Sequence, residues 1–459
     1  MSAATALPRV LDGADPRGGA PLAAHLARHG LATLDVDGAR LAEQVERARL
    51  RGRGGAAFPT ATKLAVVGHG RRRPVVVANG SEGEPASAKD ATLLAQAPQL
   101  VLDGLQLAAA ATRAVEAIVC VRARAREAHA AVARALGERA AARRDGVPIR
   151  MVAVPDGYVS GEESALVHLL NGGRAVPTAI PPRPFERGVD GRPTLIQNVE
   201  TLAHVALIAR HGADWYRALG TAAEPGTALV TLRGAVERPG VREIALGTPL
   251  AALVAHGGGD LAHARGVLVG GYFGSWLEPE VARTATLDAA SLRPLGASLG
   301  CGVVVVLPDT ACPVAETARV VRWLADESAG QCGPCVLGLA AIADALASVA
   351  DGRAAREPAC AHAVAGAGRP GGRTATQRGA GGRTARSEDA LARVRRWCGE
   401  VAGRGACRHP DGAVRLVASA LRTFEADFED HLRHGSCGAC ARQPVLPLPS
   451  VERGLARAA

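Results

Sequence analysis

Through the first half of the chain, short runs of β-branched residues alternate with segments of helical period. VVVAN at 75–79 ends at a loop, an apolar-periodic segment follows around 91–112, and IVCVR at 118–122 gives a second strand. An alanine-rich helix over 123–142 and a strand in IRMVAV at 149–154 continue the alternation. This order predicts an α/β fold built on a largely parallel sheet, with ligands held beyond the carboxyl ends of the strands. The loops at 79–90 and 155–163 fall at those ends.

The pattern changes near 226. ALVTLRGAVERPGVREIAL reads as two alternating strands bridged by a turn at Pro239 and Gly240, followed by a helix at 248–256 and a strand at 266–270. Helical periodicity takes over from 314 to 350 and again at about 388–403 and 412–432. Between them, 352–387 is rich in Gly, Arg, Ala and Thr without apolar period, which predicts a flexible insertion. The expected organisation is an N-terminal lead-in with one helix (1–44), an α/β domain (45–220), a small α+β module (226–305), a helical domain (312–440) and a tail (441–459).

A length of 459 residues with 48% hydrophobic content supports about three domains with their own cores. The net charge of +10 does not point to nucleic acid, because the arginines are spread along the chain and aromatic side chains for base stacking make up only 3%. The N-terminus lacks the pattern of a secretory signal and no segment has the long uncharged stretch of a membrane span, so a cytoplasmic location is expected, free or peripheral to a membrane complex. In a reducing compartment the ten cysteines are expected as thiols or metal ligands rather than disulfides.

Chemistry concentrates in two glycine-punctuated loops, RGRGGAAFPTATK and ANGSEGEPASAKD, which contain the only two lysines, Lys63 and Lys89, in a chain whose other 52 Lys/Arg positions are arginine. A lysine offers a compact point charge where arginine brings a broad fork, so a tight anion site discriminates between them. Gly52, Gly54 and Gly55 let backbone N–H groups approach an anion, with Arg51, Arg53 and Lys63 adding charge. The run fits neither the P-loop nor the GxGxxG spacing. In the second loop Glu82, Glu84 and Asp90 crowd beside Asn79, a set suited to accepting hydrogen bonds from ribityl or ribose hydroxyls. A third loop, YVSGEESAL at 158–166, adds Glu162 and Glu163. Taken singly, each loop also has a plain reading as a tight turn or a solvated charge run.

Together with IQNVETLAHV at 196–205, these segments make the chain resemble the NADH-binding flavoprotein subunit of respiratory complex I, of about 51 kDa, and the related diaphorase subunits of hydrogenases and formate dehydrogenases. The resemblance runs from about 45 to 350 and resumes near 395–432. It implies an FMN-binding α/β domain, a β-grasp (SLBB-like) module and a C-terminal helical iron–sulfur domain. By motif it places FMN on Gly52, Gly54, Gly55, Lys63, Asn79, Glu82, Gly161, Glu162, Glu163, Gln197 and Asn198, and the nicotinamide side on Phe58, Glu84 and Glu163. Lys89 is expected to close the acidic loop facing the flavin. Departures cluster on the nucleotide side: Val66 stands where the family has an aromatic, and Ile180, Pro181, Pro182 and Arg183 stand for K-P-P-F, leaving Arg183 to stack on a base or meet a phosphate.

The family's cluster motif is C-x2-C-x2-C with a distant fourth cysteine. Here Ala329 replaces the first, while Cys332, Cys335 and Cys407 match the others. The alternatives are a 4Fe–4S cluster with a substitute ligand, either Cys437 or Cys440 of GSCGAC or an oxygen; a three-iron cluster or none; and structural zinc on Cys332, Cys335, Cys437 and Cys440. Cys120, Cys301, Cys312, Cys360 and Cys398 are expected to be incidental thiols, and His431 and His434 to be helix-surface residues. The resemblance implies electron flow from NADH or a similar two-electron donor through FMN and the cluster to an iron–sulfur protein or subunit, or to a quinone-linked acceptor. The opposing reading is a non-catalytic or ferredoxin-linked relative that keeps the flavin fold.

Overall fold

The computed structural model describes residues 6–32, 37–68, 72–353 and 381–449. Four strands, β1 (Val75–Gly80), β2 (Glu116–Arg122), β3 (Ile149–Val154) and β4 (Thr194–Asn198), form a wholly parallel sheet in the order β3-β2-β1-β4. Its central strand is apolar on both faces because helices cover both. Val76 and Ala78 face a large core shared with the helices Pro98–Thr112 and Val199–Arg217, while Val75 and Val77 meet Ile118, Cys120 and Leu166 on the other side. The two long helices cross at Gly104, where a Cβ would lie 1.9 Å from the Leu202 carbonyl oxygen; any side chain there would drive them apart.

The N-terminal segment is not a detached lead-in. Helices Leu22–His29 and Gly38–Arg47 belong to the first domain, with Val10, Leu41 and Val45 buried in the main core. Leu41 and Val45 stand one turn apart on a largely polar segment, a pattern that marks an amphipathic helix but not the core it packs on.

A second sheet contains β5 (Thr227–Gly234), β6 (Gly240–Ala245), β7 (Ala264–Val269), β8 (Ser275–Leu277) and β9 (Val303–Pro308), in the order β6-β5-β9-β7-β8. β9 runs parallel to β5 and antiparallel to β7, so the sheet is mixed and extends to 308. The helices Pro313–Asp326, Ala340–Ala350, Gly381–Val401, His409–Thr423 and Glu425–His434 follow. Residues 381–387, expected within the flexible insertion, are helical; 354–380, including Cys360, lie outside the described residues. The helix expected at 412–432 is two helices that meet at Phe424. Nor does the tail begin at 441 as a loose end: Leu446 is buried, the Val445 and Leu446 N–H groups donate to Glu316, and the Tyr272 hydroxyl donates to the Pro447 carbonyl.

Candidate functional site

The strand order reverses between β1 and β4, since β1 leads to β2 on one side and the chain returns to β4 on the other. Parallel α/β sheets bind ligands at such a switch point, outside the carboxyl ends. There Asn79 pairs with Asn198, and Ala78 with Gln197. Asn79 Nδ2 donates to the Gly161 carbonyl at 2.8 Å, tying the third loop to this edge. Asn198 caps the helix Val199–Arg217 by accepting from the Glu200 N–H at 3.0 Å and donates to Asp90 at 2.7 Å. Gly161 allows the loops to touch, because a Cβ on it would stand 2.6 Å from the Ser81 carbonyl oxygen.

Over this edge lies the glycine loop, closed by the Gly52 N–H donating to the Phe58 carbonyl at 2.9 Å and by a bridge between Arg51 and Pro59. Gly55 has a φ of +103°, a conformation that favours glycine, and the loop is exposed from 54 to 58. Gly54 abuts Asn198. The structure thus brings the glycine loop, Asn79, Gly161, Gln197 and Asn198 to one place. Gln197 is buried and its Nε2 atom has no hydrogen-bond partner. An unpaired buried donor costs on the order of 1–3 kcal/mol, and a bound acceptor relieves that cost. This orphan donor and the open glycine loop fit a flavin mononucleotide.

The two lysines have different surroundings. Lys63 is partly exposed, forms an ion pair with Glu163, and has its Nζ 6.0 Å from the centre of the exposed Phe58 ring. Lys89 is buried and contacts Asp90 at 2.7 Å and Glu200 at 2.8 Å. It therefore does not close an acidic loop over the flavin. Burial opposes its charge, but Asp90, Glu200 and Glu82 outweigh burial and raise its pKa. Burial also opposes ionisation of Glu200, yet Lys89, His204 and Arg53 hold that carboxyl at about 2. Asp90 is pushed up to about 7 by burial, against the attraction of Lys89. Lys89 and Glu200 form the ion pair of this core, and Glu200 also accepts from the Leu229 N–H of β5 at 2.8 Å.

Other expected ligands are engaged by the protein. Glu82 accepts from Ser87 Oγ and from the N–H groups of Asp90 and Ala91, so it caps the helix Lys89–Gln96 rather than waiting for ribityl hydroxyls. Glu84, assigned by motif to the nicotinamide side, accepts from the Tyr272 N–H at 2.7 Å, the Ala86 N–H at 3.1 Å and the Tyr158 hydroxyl at 3.1 Å; it joins the acidic loop to the second sheet's module. Burial raises its pKa to about 7. Glu162 is the N-cap of the helix Glu163–Leu170, accepting from the Ser164 and Ala165 N–H groups. Arg53 turns inward to Tyr216, Thr227 and Glu200, leaving Arg51 and Lys63 as the outward cations of the glycine loop. Arg183 is exposed, and so is Phe185 two residues on, an aromatic that the K-P-P-F comparison passes over.

A π-helical turn, Pro334–Leu339, follows Cys332, and the N–H groups of Cys335 and Val336 both donate to the Cys332 carbonyl. Cys407 lies just ahead of the helix His409–Thr423. Burial pushes the Cys335 thiol up to about 12, with Cys332 and Cys407 adding to it. Burial likewise raises Cys407, reinforced by Glu162 and Cys332. The π-helical turn and the start of the helix His409–Thr423 thus present the three matched cysteines, the donor types an iron–sulfur cluster takes, while Ala329 brings no donor to the fourth position. Cys437 and Cys440 are not grouped with them. Their sulfurs sit with Cys312 and His431, and His431 is buried rather than on a helix surface. Cys312 is thus no incidental thiol, and the four-thiolate zinc set of Cys332, Cys335, Cys437 and Cys440 is not assembled.

The loop at 155–163 serves both places. Gly161 is held by Asn79, and the Tyr158 ring packs edge-on against Phe273, Trp323 and His409, the last of them two residues beyond Cys407. A nucleotide crevice and a thiol cluster joined by one loop define an electron-transfer flavoprotein with an iron–sulfur centre. The Nuo51 FMN-binding domain matches residues 45–207, and the NADH-ubiquinone oxidoreductase-F iron–sulfur binding region matches 315–365 and 372–431. The second F-type subunit of NADH-quinone oxidoreductase from Rhizobium meliloti (strain 1021) is 32% identical over 410 residues, covering 86% of this chain and 90% of that protein. The F-type subunit from Mycobacterium tuberculosis (strain H37Rv) is 30% identical over 423 residues, covering 89% and 88%. Among solved structures, NAD+-reducing NiFe hydrogenase in the air-oxidized state superposes with a TM-score of 0.75 at 29% identity, over 97% of this chain and 68% of that one. In the H2-reduced state the match has a TM-score of 0.70 at 31% identity, covers 86% of this chain, and spans less than two thirds, 63%, of the hydrogenase chain. The chain belongs to the family of F-type NADH-quinone oxidoreductase subunits, NADH dehydrogenase-like oxidoreductases with FMN and 4Fe–4S regions.

Proposed function

We propose that this chain takes two electrons from NADH at the switch-point crevice and delivers them singly to an iron–sulfur partner protein, with Cys332, Cys335 and Cys407 as the residues that would hold the cluster supplying the one-electron step. The observation that carries this reading is the 155–163 loop, whose Gly161 accepts from Asn79 at the crevice while its Tyr158 ring packs edge-on against His409, two residues after Cys407. When bound, FMN supplies the hydride acceptor and the conversion from two-electron to one-electron transfer. Gly52, Gly54 and Gly55 would admit its phosphate with Lys63 as counter-charge, and Gln197 Nε2 would donate to it. Phe58, Phe185 and Arg183 offer exposed flat surfaces for the nucleotide's rings. Hydride transfer needs no proton donor, so no side chain is assigned acid or base work.

At the cluster, Cys332, Cys335 and Cys407 are the residues that would hold iron, and Ala329 supplies no donor at the remaining motif position. Val336 and Leu337, exposed beside Cys335, offer an apolar contact for the partner. We read the second sheet, with parallel β5 and β9 at its centre, as the β-grasp module, and the chain as peripheral to its complex; among the described residues no helix is long and apolar enough to cross a membrane. Anaerobic mixing of FMN-loaded protein with NADH should bleach the flavin band. Full flavin occupancy without bleaching would overturn NADH as the donor, and bleaching by reduced ferredoxin instead would reverse the direction of flow.

A further inference from the structure

We infer that Cys312, His431, Cys437 and Cys440 form a second metal centre, a tetrahedral zinc site separate from the cluster cysteines, which fastens the C-terminal segment to the helical domain. The four ligand atoms all lie within 4.8 Å of one another. Four of the separations are 3.4 Å (Cys312 Sγ to His431 Nε2), 3.2 Å (His431 Nε2 to Cys440 Sγ), 3.5 Å (Cys440 Sγ to Cys312 Sγ) and 3.6 Å (Cys437 Sγ to Cys440 Sγ). Zinc with Zn–S near 2.3 Å and Zn–N near 2.0–2.1 Å places its tetrahedral ligands roughly 3.5–3.8 Å apart, close to this spacing. A four-iron cube carries each cysteine on a different iron and spreads the sulfurs further than a single ion does. Cys332, Cys335 and Cys407 do not form so compact a set among the described residues.

The supporting contacts suit a metal. His431 Nδ1 lies 2.9 Å from the Asp427 carbonyl, which can only accept, so Nδ1 carries the proton and Nε2 turns its lone pair toward the three sulfurs. Cys312 caps the helix Pro313–Asp326, and its sulfur accepts from the Ala315 N–H at 3.3 Å, a contact that orients it toward the other three ligand atoms. Three thiolates and one neutral imidazole leave a zinc site with one net negative charge. Arg265, which forms an ion pair with Asp427, places its cation in the field of Cys312 and Cys437. Cys312 and His431 are buried and Cys437 is exposed, giving the ion an entry side.

The mechanical consequence lies just downstream. Residues 445–447 hydrogen-bond to Glu316 and Tyr272, and the Tyr272 N–H holds Glu84. An ion at Cys437 and Cys440 would anchor the start of the segment that covers this junction.

Metal analysis of the purified holoprotein tests the assignment: about one zinc per chain is expected beside the iron, as a Cys3His site requires. Cobalt(II) in place of zinc should give the strong visible ligand-field bands of a tetrahedral thiolate site. Cys437→Ser, at the exposed ligand, should release its zinc to a chelator while iron and flavin stay at the parental level, and chelated wild-type protein should be cut by protease between 435 and 445. A holoprotein that binds neither zinc nor cobalt, or a Cys437→Ser variant whose iron falls in step with its zinc, would overturn the separate site. An equally protected segment after zinc removal would overturn its role as a fastener.

Discussion

Lys63 and Lys89 stand in the first turns of the helices that follow two loops at one sheet edge, yet one faces outward and the other is enclosed. Lys63 is partly exposed beside Glu163 and Phe58, with Arg51 also on the glycine loop's outer side. Lys89 is enclosed between Asp90 and Glu200, and through Glu200 it connects the parallel sheet's domain to β5. Scarcity of lysine marked both positions as special, but for different reasons. One needs a compact charge a ligand can approach; the other needs a slender cation that fits where Gly302 and Leu229 leave little room.

The sharpest test of this contrast is Lys89→Met. It strands Glu200 and Asp90 in the interior, and removing one partner of a buried pair costs about 3–5 kcal/mol. The urea midpoint should fall accordingly, with flavin lost as the domain loosens; a change under about 1 kcal/mol would show that the pair is solvated after all.

Acidity gives the next largest effect. Glu84 has a folded pKa of about 7 against an ordinary 4.5, so the folded state keeps a proton that the unfolded state has released. Stability should therefore fall as pH rises from about 4.5 to 7 and level off above, with a slope of up to about 1.4 kcal/mol per pH unit. Glu84→Gln should remove that share of the slope in melting curves collected between pH 5 and 8. Asp90 acts in the same window and keeps its own share.

Lys63→Met should move stability by less than about 1 kcal/mol, because its ion pair is exposed. Flavin mononucleotide affinity, followed by fluorescence quenching, should still drop at least about tenfold, the worth of one charge-assisted contact. Lys63→Arg makes the smallest change: charge is retained, and affinity should fall only a few fold if the phosphate pocket is shaped for an ammonium. Full affinity in Lys63→Arg would remove the argument from lysine scarcity.

Much of the fold was legible because its strands are short β-branched runs. VVVAN, IVCVR and IRMVAV became β1, β2 and β3 nearly as bounded. VVVVLP, the middle strand of the second sheet, carries as strong a run, but a continuous apolar stretch has no period to separate strand from helix. At the site, motifs located the loops and not the directions of their side chains. Glu82, Glu84 and Arg53 are motif residues in the right loops, yet capping, domain contact and an internal ion pair absorb them. The Cys312 and His431 pairing was not readable because the two are 119 positions apart, and proximity arises only when the last helix packs beside the start of the first one in its domain.

Electron transfer slows exponentially with the gap to be tunnelled, so the separation of the crevice from the cysteines is a functional dimension. In this molecule a single stretch, 155–163, spans that gap, pinned at Gly161 by Asn79 and at Tyr158 by Glu327 and the aromatic ring of His409. Tyr158 and Gly161, three positions apart, thus tie the two places together through one short stretch of chain. A residue inserted between Tyr158 and Gly161 should therefore strain both attachments at once and change the rate at which electrons pass between the two places.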